Sequence, residues 1–237
     1  MFNSVNMFSE FPFFIRNITG NIPEVYGLKF SLVEFEKELY HDDLFKYYGV
    51  VFPRVLSSSV IKRRAEYLAG RYAAQQLLRD SGCYESVIMG NDRTPQWPSG
   101  WKGSISHTDR WAIAVISPAA APWRPGIDIE NFRAGELSET ADLFVTSEEQ
   151  SLLTDSGIQH EIALLMAFSV KESLYKSLHP LVQYFFGFDS AEIYQIEPYH
   201  QRVTLRLTKT LTPQFPAGLS LFGYYQIRNN GIVTLVV

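Results

Sequence analysis

The spacing of the apolar residues changes from helical to alternating near residue 190, and this change restricts the chain to mixed α+β folds. Before it, a predicted helix runs from about His160 to Leu178 and ends ahead of Pro180. After it come strand-like segments, AEIYQIE, RVTLRLT and LSLFGYYQIR, and then Asn229-Asn230-Gly231, which is typical of a hairpin turn. The sequence therefore predicts a helical middle followed by a β-rich C-terminus.

The first half of the chain has the same mixture of patterns. The segment from Tyr26 to Phe35 alternates apolar and small or polar residues, as a half-buried strand does. A helix is predicted to follow, with Ser58 or Ser59 as its N-cap and its end near Arg79. Since the Ala- and Pro-rich segment 118–125 is a natural connection, we expect two halves, 1–122 and 123–237.

Composition sets limits on the function. The chain has 237 residues, of which 46% are hydrophobic and 19% charged, as in folded globular proteins. A formal net charge of -4 gives no overall attraction to nucleic acid or to an anionic membrane. An anion-binding site would therefore have to be a local basic patch.

The cysteine content and the apolar segments indicate where in the cell the protein is expected. Cys83 is the single cysteine, which excludes an internal disulfide and favours a reducing compartment. The first residues show no signal-peptide pattern, and no apolar stretch approaches the roughly 18 residues of a membrane span. We therefore expect a soluble, cytoplasmic protein with no membrane span.

Two carboxylates stand two residues apart in the strand-like segment GIDIE. Side chains at such positions point the same way, so Asp128 and Glu130 would lie about 7 Å apart on one face. That arrangement suits one hard cation. It also fits an edge strand that carries two ordinary surface acids, and the motif alone does not decide between them.

A third carboxylate lies on the predicted helix MAFSVKESLYKSL. Glu172 and Lys176 share a helix face, and Lys171 is turned about 100° away. The pair fits a surface ion pair, but Phe168 on the same stripe suggests that Glu172 borders buried surface and needs a partner. Three carboxylates are the kind of ligands that magnesium uses together with substrate phosphates.

Basic residues cluster on the first predicted helix, in KRRAEYLAGR. Arg64 and Arg71 fall on one helical face and could bind a phosphate, or could form a solvated basic face. His107 follows the short strand 103–106 and begins a loop. A single histidine there fits a structural role or a phosphate contact.

Four blocks in this order, KRRAEYLAGR, RTPQWPSGWKGSISHT, GIDIE and FSVKESLYKSLHP, resemble the 4'-phosphopantetheinyl transferases over residues 62–180. The resemblance implies transfer of the phosphopantetheine arm of coenzyme A to a serine of an apo carrier protein, with release of adenosine 3',5'-bisphosphate. It also implies a monomer of two similar α+β halves related by pseudo-twofold symmetry, with coenzyme A in the cleft between them. The branch that the blocks resemble serves siderophore synthesis, which suggests peptidyl, aryl or acyl carrier domains of non-ribosomal peptide synthases.

The resemblance also assigns roles to individual residues. It makes Asp128, Glu130 and Glu172 the magnesium ligands, and Asp128, Glu172 and Lys176 the catalytic residues. The residues that it implies for binding coenzyme A are Arg63, Arg64, Arg71, Arg93, Pro95, Ser106, His107, Lys171 and Lys176. The family pattern has Lys-Pro where this chain has Thr94-Pro95, so Arg93 is expected to substitute for that lysine.

The proton acceptor and the reaction itself leave alternatives. Glu172 is our candidate general base, directly or through water. The same carboxylates would also serve a magnesium-dependent phosphohydrolase that acts on water, and the fold would also suit an inactive module that binds coenzyme A or carriers. Retention of the three carboxylates and both lysines argues against the inactive module.

Overall fold

The computed structural model of the chain describes residues 3–6, 14–21 and 28–237. It divides into two units, Met1–Pro125 and Gly126–Val237. The sequence placed the boundary between residues 122 and 123, and two residues of its first predicted strand, Tyr26 and Gly27, lie outside the described residues.

Unit 1 is built around one antiparallel sheet. The strands in its described part are β1 (Asn3–Asn6), β2 (Ile15–Asn21), β3 (Lys29–Phe35), β4 (Ile88–Met89), β5 (Pro95–Gln96), β6 (Trp101–His107) and β7 (Trp111–Pro118). Five of them form the sheet in the order β1-β2-β3-β7-β6, while β4 and β5 pair with each other. Every strand of the main sheet is antiparallel to its neighbours.

One long helix covers a face of this sheet. After the short helix α1 (Leu44–Tyr48), helix α2 (Ile61–Arg79) packs on β7, β3 and β6, and short 3-10 turns lie at Lys37–Leu39 and Arg54–Leu56. The side chains between α2 and the sheet form the hydrophobic core of the unit.

The predicted end of α2 is confirmed, but its predicted cap is wrong. Val60 is the N-cap residue and no side chain caps the helix, so neither Ser58 nor Ser59 has that role. Ser59 instead accepts a hydrogen bond from Arg64 Nε at its carbonyl oxygen, 3.1 Å away. The start of α2 is therefore set by backbone bonding and by packing on the sheet.

Unit 2 repeats the same plan. Its strands are β8 (Gly126–Asn131), β9 (Ala191–Glu197), β10 (Arg202–Leu207), β11 (Ser220–Arg228) and β12 (Gly231–Val236). They form an antiparallel sheet in the order β8-β12-β11-β10-β9. The predicted hairpin turn is confirmed, since Asn229 and Asn230 connect β11 to β12.

The helices of unit 2 are α3 (Ser147–Asp155) and α4 (His160–Val182), with 3-10 turns at Ser138–Leu143, Phe188–Ser190 and Pro198–His200. Helix α4 packs on β8, β12 and β11, and its buried side chains form the core of the unit. The sequence Thr146-Ser-Glu-Glu149 has the pattern of a capping box, and the structure confirms one at the start of α3: Thr146 accepts a hydrogen bond from the N–H of Glu149, and the Glu149 side chain accepts one from the N–H of Thr146.

The predicted end of α4 ahead of Pro180 is wrong. Pro180 lies inside the last turn of the helix, which continues to Val182. Proline there removes only the one hydrogen bond that its own nitrogen would have donated. The helix ends three residues beyond it, where Gln183 adopts a left-handed conformation and its N–H donates to the carbonyl oxygen of His179, 2.8 Å away.

Each unit is thus a five-stranded antiparallel sheet with one long helix on a face. The predicted class, mixed α+β in two similar halves, is confirmed. No helix in the described part of the chain is both long enough and apolar enough to cross a bilayer.

Candidate active site

The first carboxylate group lies where α4 crosses β8. Strand β8 alternates, with Ile127 and Ile129 on one face and Asp128 and Glu130 on the other. Gly126 lets the helix approach this strand closely, because a Cβ atom there would lie 1.9 Å from the carbonyl oxygen of Ser173 on α4. The close contact brings side chains of α4 within hydrogen-bond distance of Asp128.

Asp128 is buried and has a donor at each carboxylate oxygen. Its Oδ1 lies 2.5 Å from Lys176 Nζ, and its Oδ2 accepts a hydrogen bond of 2.7 Å from the hydroxyl of Ser169. A carboxylate taken out of water needs such partners to remain charged. Lys176 is partly exposed, whereas Ser169 is fully buried.

Glu130 and Glu172 are half-buried and lie in the electrostatic range of Asp128. Burial, and next the charge of Asp128, raise the pKa of Glu130 to about 7, although Lys176 opposes the shift. Burial also raises the pKa of Glu172, with Lys176 opposing and Asp128 adding to the shift. Arg133 also opposes the shift at Glu130, but the three carboxylates still outnumber the cations Lys176 and Arg133, and a bound cation would relieve this surplus of negative charge.

The side chains as they stand do not converge on a metal position. Within residues 3–6, 14–21 and 28–237 there is no group of three His, Cys, Asp or Glu close enough to hold an ion. The donors nevertheless fit magnesium by type, since they are oxygen ligands with excess negative charge. Lys176 is the present partner of Asp128 Oδ1.

Lys171 is not brought to this group. Its ammonium is buried and lies 2.7 Å from Glu149 Oε1 and 2.7 Å from the carbonyl oxygen of Phe144. Glu149 Oε1 also accepts the N–H of Ile193 on β9. Because Lys171 is turned about 100° from Glu172 around the helix, it points toward α3 and β9.

An apolar pocket of about 180 Å³ adjoins Glu172. Its wall is aromatic and includes Tyr175, Phe185, Phe186 and Phe188. A second pocket, of about 210 Å³, adjoins Glu130 and has a polar wall that includes Arg133, Glu136 and Glu161. Glu172 thus borders an apolar pocket, and Glu130 borders a polar one.

In unit 1, a basic group is centred on His107. Arg63 approaches the Nε2 atom of this histidine to 3.4 Å, and Glu66 Oε2 lies 3.8 Å from its Nδ1 atom. Glu66 is buried and also lies 3.8 Å from Lys62 Nζ. Burial raises the pKa of Glu66, with Lys62 and Arg63 opposing the shift.

Arg71, which lies on α2 with Arg63, is a buried cation. Its guanidinium lies over the ring of Tyr67, 4.7 Å from the centroid, and its Nε atom has no hydrogen-bond partner. Burial lowers the pKa of Arg71. A desolvated guanidinium with an unused donor favours an anion as its partner.

The remaining predicted contacts lie elsewhere in unit 1. Arg64 is held by both carboxylate oxygens of Asp42, at 2.9 and 2.8 Å, so it is not part of the basic group. Ser106 is buried beside His107 on β6. Arg93 is exposed on the turn between β4 and β5, with a φ angle of 68°, and Pro95 begins β5.

Sequence reasoning missed the polar side chains behind the charged ones. Ser169 and Thr234 support Asp128, and Glu66 faces His107. One signal was present: Ser169, Ser173 and Ser177 recur four residues apart on α4, in a stripe that is too polar for ordinary core.

The chain matches two family models and several curated proteins. The 4'-phosphopantetheinyl transferase N-terminal domain matches residues 52–117, and the 4'-phosphopantetheinyl transferase superfamily matches residues 124–222. Enterobactin synthase component D of Salmonella typhi is 34% identical over 222 residues, which cover 92% of this chain and 90% of that protein. The Salmonella typhimurium protein of the same name is 37% identical over 76% of this chain and 74% of its own length. 4'-Phosphopantetheinyl transferase Npt of Nocardia iowensis is 30% identical over 60% and 64%.

Proposed function

The chain belongs to the 4'-phosphopantetheinyl transferase superfamily, and on that basis we propose that the carboxylates of unit 2 act at the pyrophosphate of coenzyme A. The enzyme transfers the 4'-phosphopantetheine arm of coenzyme A to a serine of an apo carrier protein and releases adenosine 3',5'-bisphosphate. The observation that carries the proposal is the surplus of buried carboxylate around Asp128, where Lys176 is the lysine that opposes it.

Asp128, Glu130 and Glu172 would hold magnesium. When bound, magnesium would supply positive charge against the pyrophosphate oxygens, which is the main help that phosphoryl transfer needs. The raised pKa values of Glu130 and Glu172 support this, because both carboxylates gain when positive charge comes near. Lys176 is partly exposed and has a flexible stem, so it can turn from Asp128 to a phosphate oxygen.

Glu172 accepts the proton of the carrier serine, directly or through a water molecule. In the metal-free protein burial raises the pKa of Glu172, which favours proton uptake, and a water molecule between the two groups would let Glu172 act while it holds the metal. The serine oxygen then forms a bond to phosphorus, and the bond from phosphorus to the bridging oxygen breaks. That oxygen leaves as part of adenosine 3',5'-bisphosphate, and the phosphopantetheine arm stays on the serine.

The two other groups would bind the rest of coenzyme A. The pantetheine arm carries no charge, and the aromatic pocket beside Glu172 is suited to such a group. Arg63, Arg71 and His107 of unit 1 would bind a phosphate, since Arg71 is buried with an unused donor. The same role for Arg93, Pro95 and Ser106 is carried by the family resemblance.

The relatives named enterobactin synthase component D favour a siderophore pathway. We therefore propose aryl or peptidyl carrier domains of a non-ribosomal peptide synthase as acceptors, and the cytoplasm as the place of the reaction. Within residues 3–6, 14–21 and 28–237 we find no helix that could cross a bilayer, and the net charge of -4 gives nucleic acid no attraction.

Release of adenosine 3',5'-bisphosphate tests this function against hydrolysis. The enzyme is incubated with coenzyme A and magnesium, with and without an apo carrier, and the products are separated by chromatography. We expect the bisphosphate only when the carrier is present. Free phosphopantetheine in the sample without carrier would identify a phosphohydrolase.

A further inference from the structure

Three serines of α4 face the sheet of unit 2 and are buried. Ser169, Ser173 and Ser177 follow one another at intervals of one helical turn, and the first two are completely inaccessible to solvent. A buried hydroxyl lowers the stability of the fold unless it is hydrogen-bonded, so each of these serines needs a partner. The partners of the first two serines are Asp128 and Thr234.

The hydroxyls form a chain that ends at Asp128. Ser169 Oγ lies 2.7 Å from Asp128 Oδ2 and 2.9 Å from Thr234 Oγ1. Thr234 Oγ1 in turn lies 2.7 Å from Ser173 Oγ, which also reaches the carbonyl oxygen of Thr234 at 3.0 Å. All four side chains are buried.

The direction of the chain follows from counting protons. A carboxylate only accepts, so the single proton of Ser169 goes to Asp128. The bond between Ser169 and Thr234 must then use the proton of Thr234. The single proton of Ser173 is therefore shared between Thr234 Oγ1, 2.7 Å away, and the carbonyl oxygen of Thr234, 3.0 Å away. Each hydroxyl donates toward the carboxylate, and such chains strengthen their members through mutual polarisation.

Lys176 is a less permanent partner of Asp128. It is partly exposed, and the proposed reaction needs its charge at a phosphate oxygen. When Lys176 turns away, Ser169 is the donor on α4 that still holds the carboxylate. A fully buried hydroxyl then helps to fix the plane and direction of the Asp128 carboxylate.

We propose that Ser169 is a positioning residue of the transferase, which, with Thr234 behind it, aims Asp128 at the magnesium and pyrophosphate of coenzyme A. The inference rests on the proposed function of Asp128. Loss of this hydroxyl removes a buried donor that orients the carboxylate, so the enzyme needs more magnesium and more coenzyme A, while recognition of the carrier is unaffected. Partners of this kind behind a ligand are typically worth about 10-fold to 100-fold in metal affinity.

Ser169→Ala and Ser173→Ala form a matched pair. Both remove one buried hydroxyl from α4, but Ser173 contacts Thr234 and not Asp128. For each variant, calorimetry measures the binding of coenzyme A as magnesium is added, and kinetics measures KM for coenzyme A and for the carrier. Thermal melting reports the effect of each change on stability.

We expect Ser169→Ala to raise the magnesium concentration for half-maximal binding and the KM for coenzyme A by about tenfold. Its KM for the carrier should stay near the wild-type value. Ser173→Ala should change each quantity less than about twofold, because Thr234 still donates to Ser169. If Ser169→Ala proves unfolded, Ser169→Cys, which keeps a weak donor of similar size, should show a smaller rise of the same kind.

Equal losses in Ser169→Ala and Ser173→Ala, in step with equal drops in melting temperature, would show a purely structural stripe and overturn the inference. Wild-type binding of magnesium and coenzyme A by Ser169→Ala would also overturn it. The wild-type enzyme is the separate check on the proposed function. If it fails to modify any carrier, the function is refuted, whatever the serine variants do.

Discussion

Asp128, Glu130 and Glu172 have different surroundings, and these surroundings predict different behaviour. Asp128 is buried between Lys176 and Ser169, which stabilise its charge. Glu130 and Glu172 are half-buried, and the pKa of each is raised, first by burial. Asp128 is therefore the fixed anchor of the group, and the two glutamates are the members that respond to protons and cations.

Replacement of Glu172 by glutamine should abolish transfer without unfolding the protein. The amide keeps the size of the side chain but can neither take the serine proton nor neutralise a cation, so we expect a loss of at least about 100-fold. Carrier modification is the readout, with circular dichroism as the check on folding. Glu161→Gln, in the first turn of the same helix, is the control and should remain active. Normal turnover by Glu172→Gln would remove this residue from the mechanism.

Glu130 should make the metal-free protein less stable as the pH rises. Its pKa is about 7 in the fold against an ordinary value of 4.5, so the folded state binds the proton more tightly. The stabilisation is fully present below the unfolded pKa, and it is lost as the pH passes through the folded value. We expect a loss of about 1–3 kcal/mol between pH 5 and pH 8 on this account.

Chemical unfolding of the wild type and of Glu130→Gln in a chelator measures this effect, because glutamine has no such proton to lose. The wild type should weaken relative to the variant across the window. Saturating magnesium with coenzyme A should flatten the difference, since a cation replaces the proton. Parallel pH profiles of the two proteins in chelator would contradict the assignment.

At the scale of elements, helix α4 connects the structural and the catalytic parts of unit 2. One face carries Glu172 and Lys176, and another carries Lys171, which joins α4 to Glu149 of α3. Through the N–H of Ile193, the same glutamate holds β9. The buried pair therefore fixes three elements around the wall of the apolar pocket, which Lys171 also lines.

Lys171→Met should lower stability strongly, because it leaves the charge of Glu149 in the core without a counter-charge. Breaking a buried pair in this way costs about 3–5 kcal/mol, whereas an exposed pair contributes about 1 kcal/mol or less. The matched control is Lys209→Met, whose partner Asp189 lies 2.9 Å away at the surface. Urea unfolding compares the two. A Lys171→Met protein of wild-type stability with a weakened affinity for coenzyme A would instead support the phosphate contact that the family resemblance implies.

Local patterns in the sequence predicted the elements better than the partners of individual side chains. The capping box at Thr146, the hairpin at Asn229-Asn230 and the facing carboxylates of β8 depend on neighbours in the chain, and the sequence contains them in full. The partner of Lys171 and the support of Asp128 by Thr234 depend on contacts across the fold, between residues far apart in sequence. No periodicity can show such contacts.

The ends of helices are also predicted less well from the sequence than their existence. Ser59 is a good cap by residue type, but backbone bonding and packing on the sheet place the start of α2 after Val60. Pro180 is a good helix terminator by type, yet α4 is held along its length by the sheet and continues to Val182. Tertiary packing overrides local preference at both positions.

At the scale of the whole molecule, the two units share one architecture and carry different chemistry. Unit 1 carries the guanidinium groups of Arg63 and Arg71 on α2, with His107 beside Arg63. Unit 2 carries carboxylates that Lys176 neutralises only in part. The repeated plan of sheet and helix therefore carries groups of opposite charge in the two units.

The most direct test of the account is the intact mass of an apo carrier protein after incubation with the enzyme, coenzyme A and magnesium. We predict a mass increase of one phosphopantetheine group on the acceptor serine. The increase should be absent in a chelator, with Asp128→Asn enzyme, and with a carrier whose serine is replaced by alanine. A carrier that stays unmodified by the wild type, or full modification by the Asp128→Asn enzyme, would contradict the account.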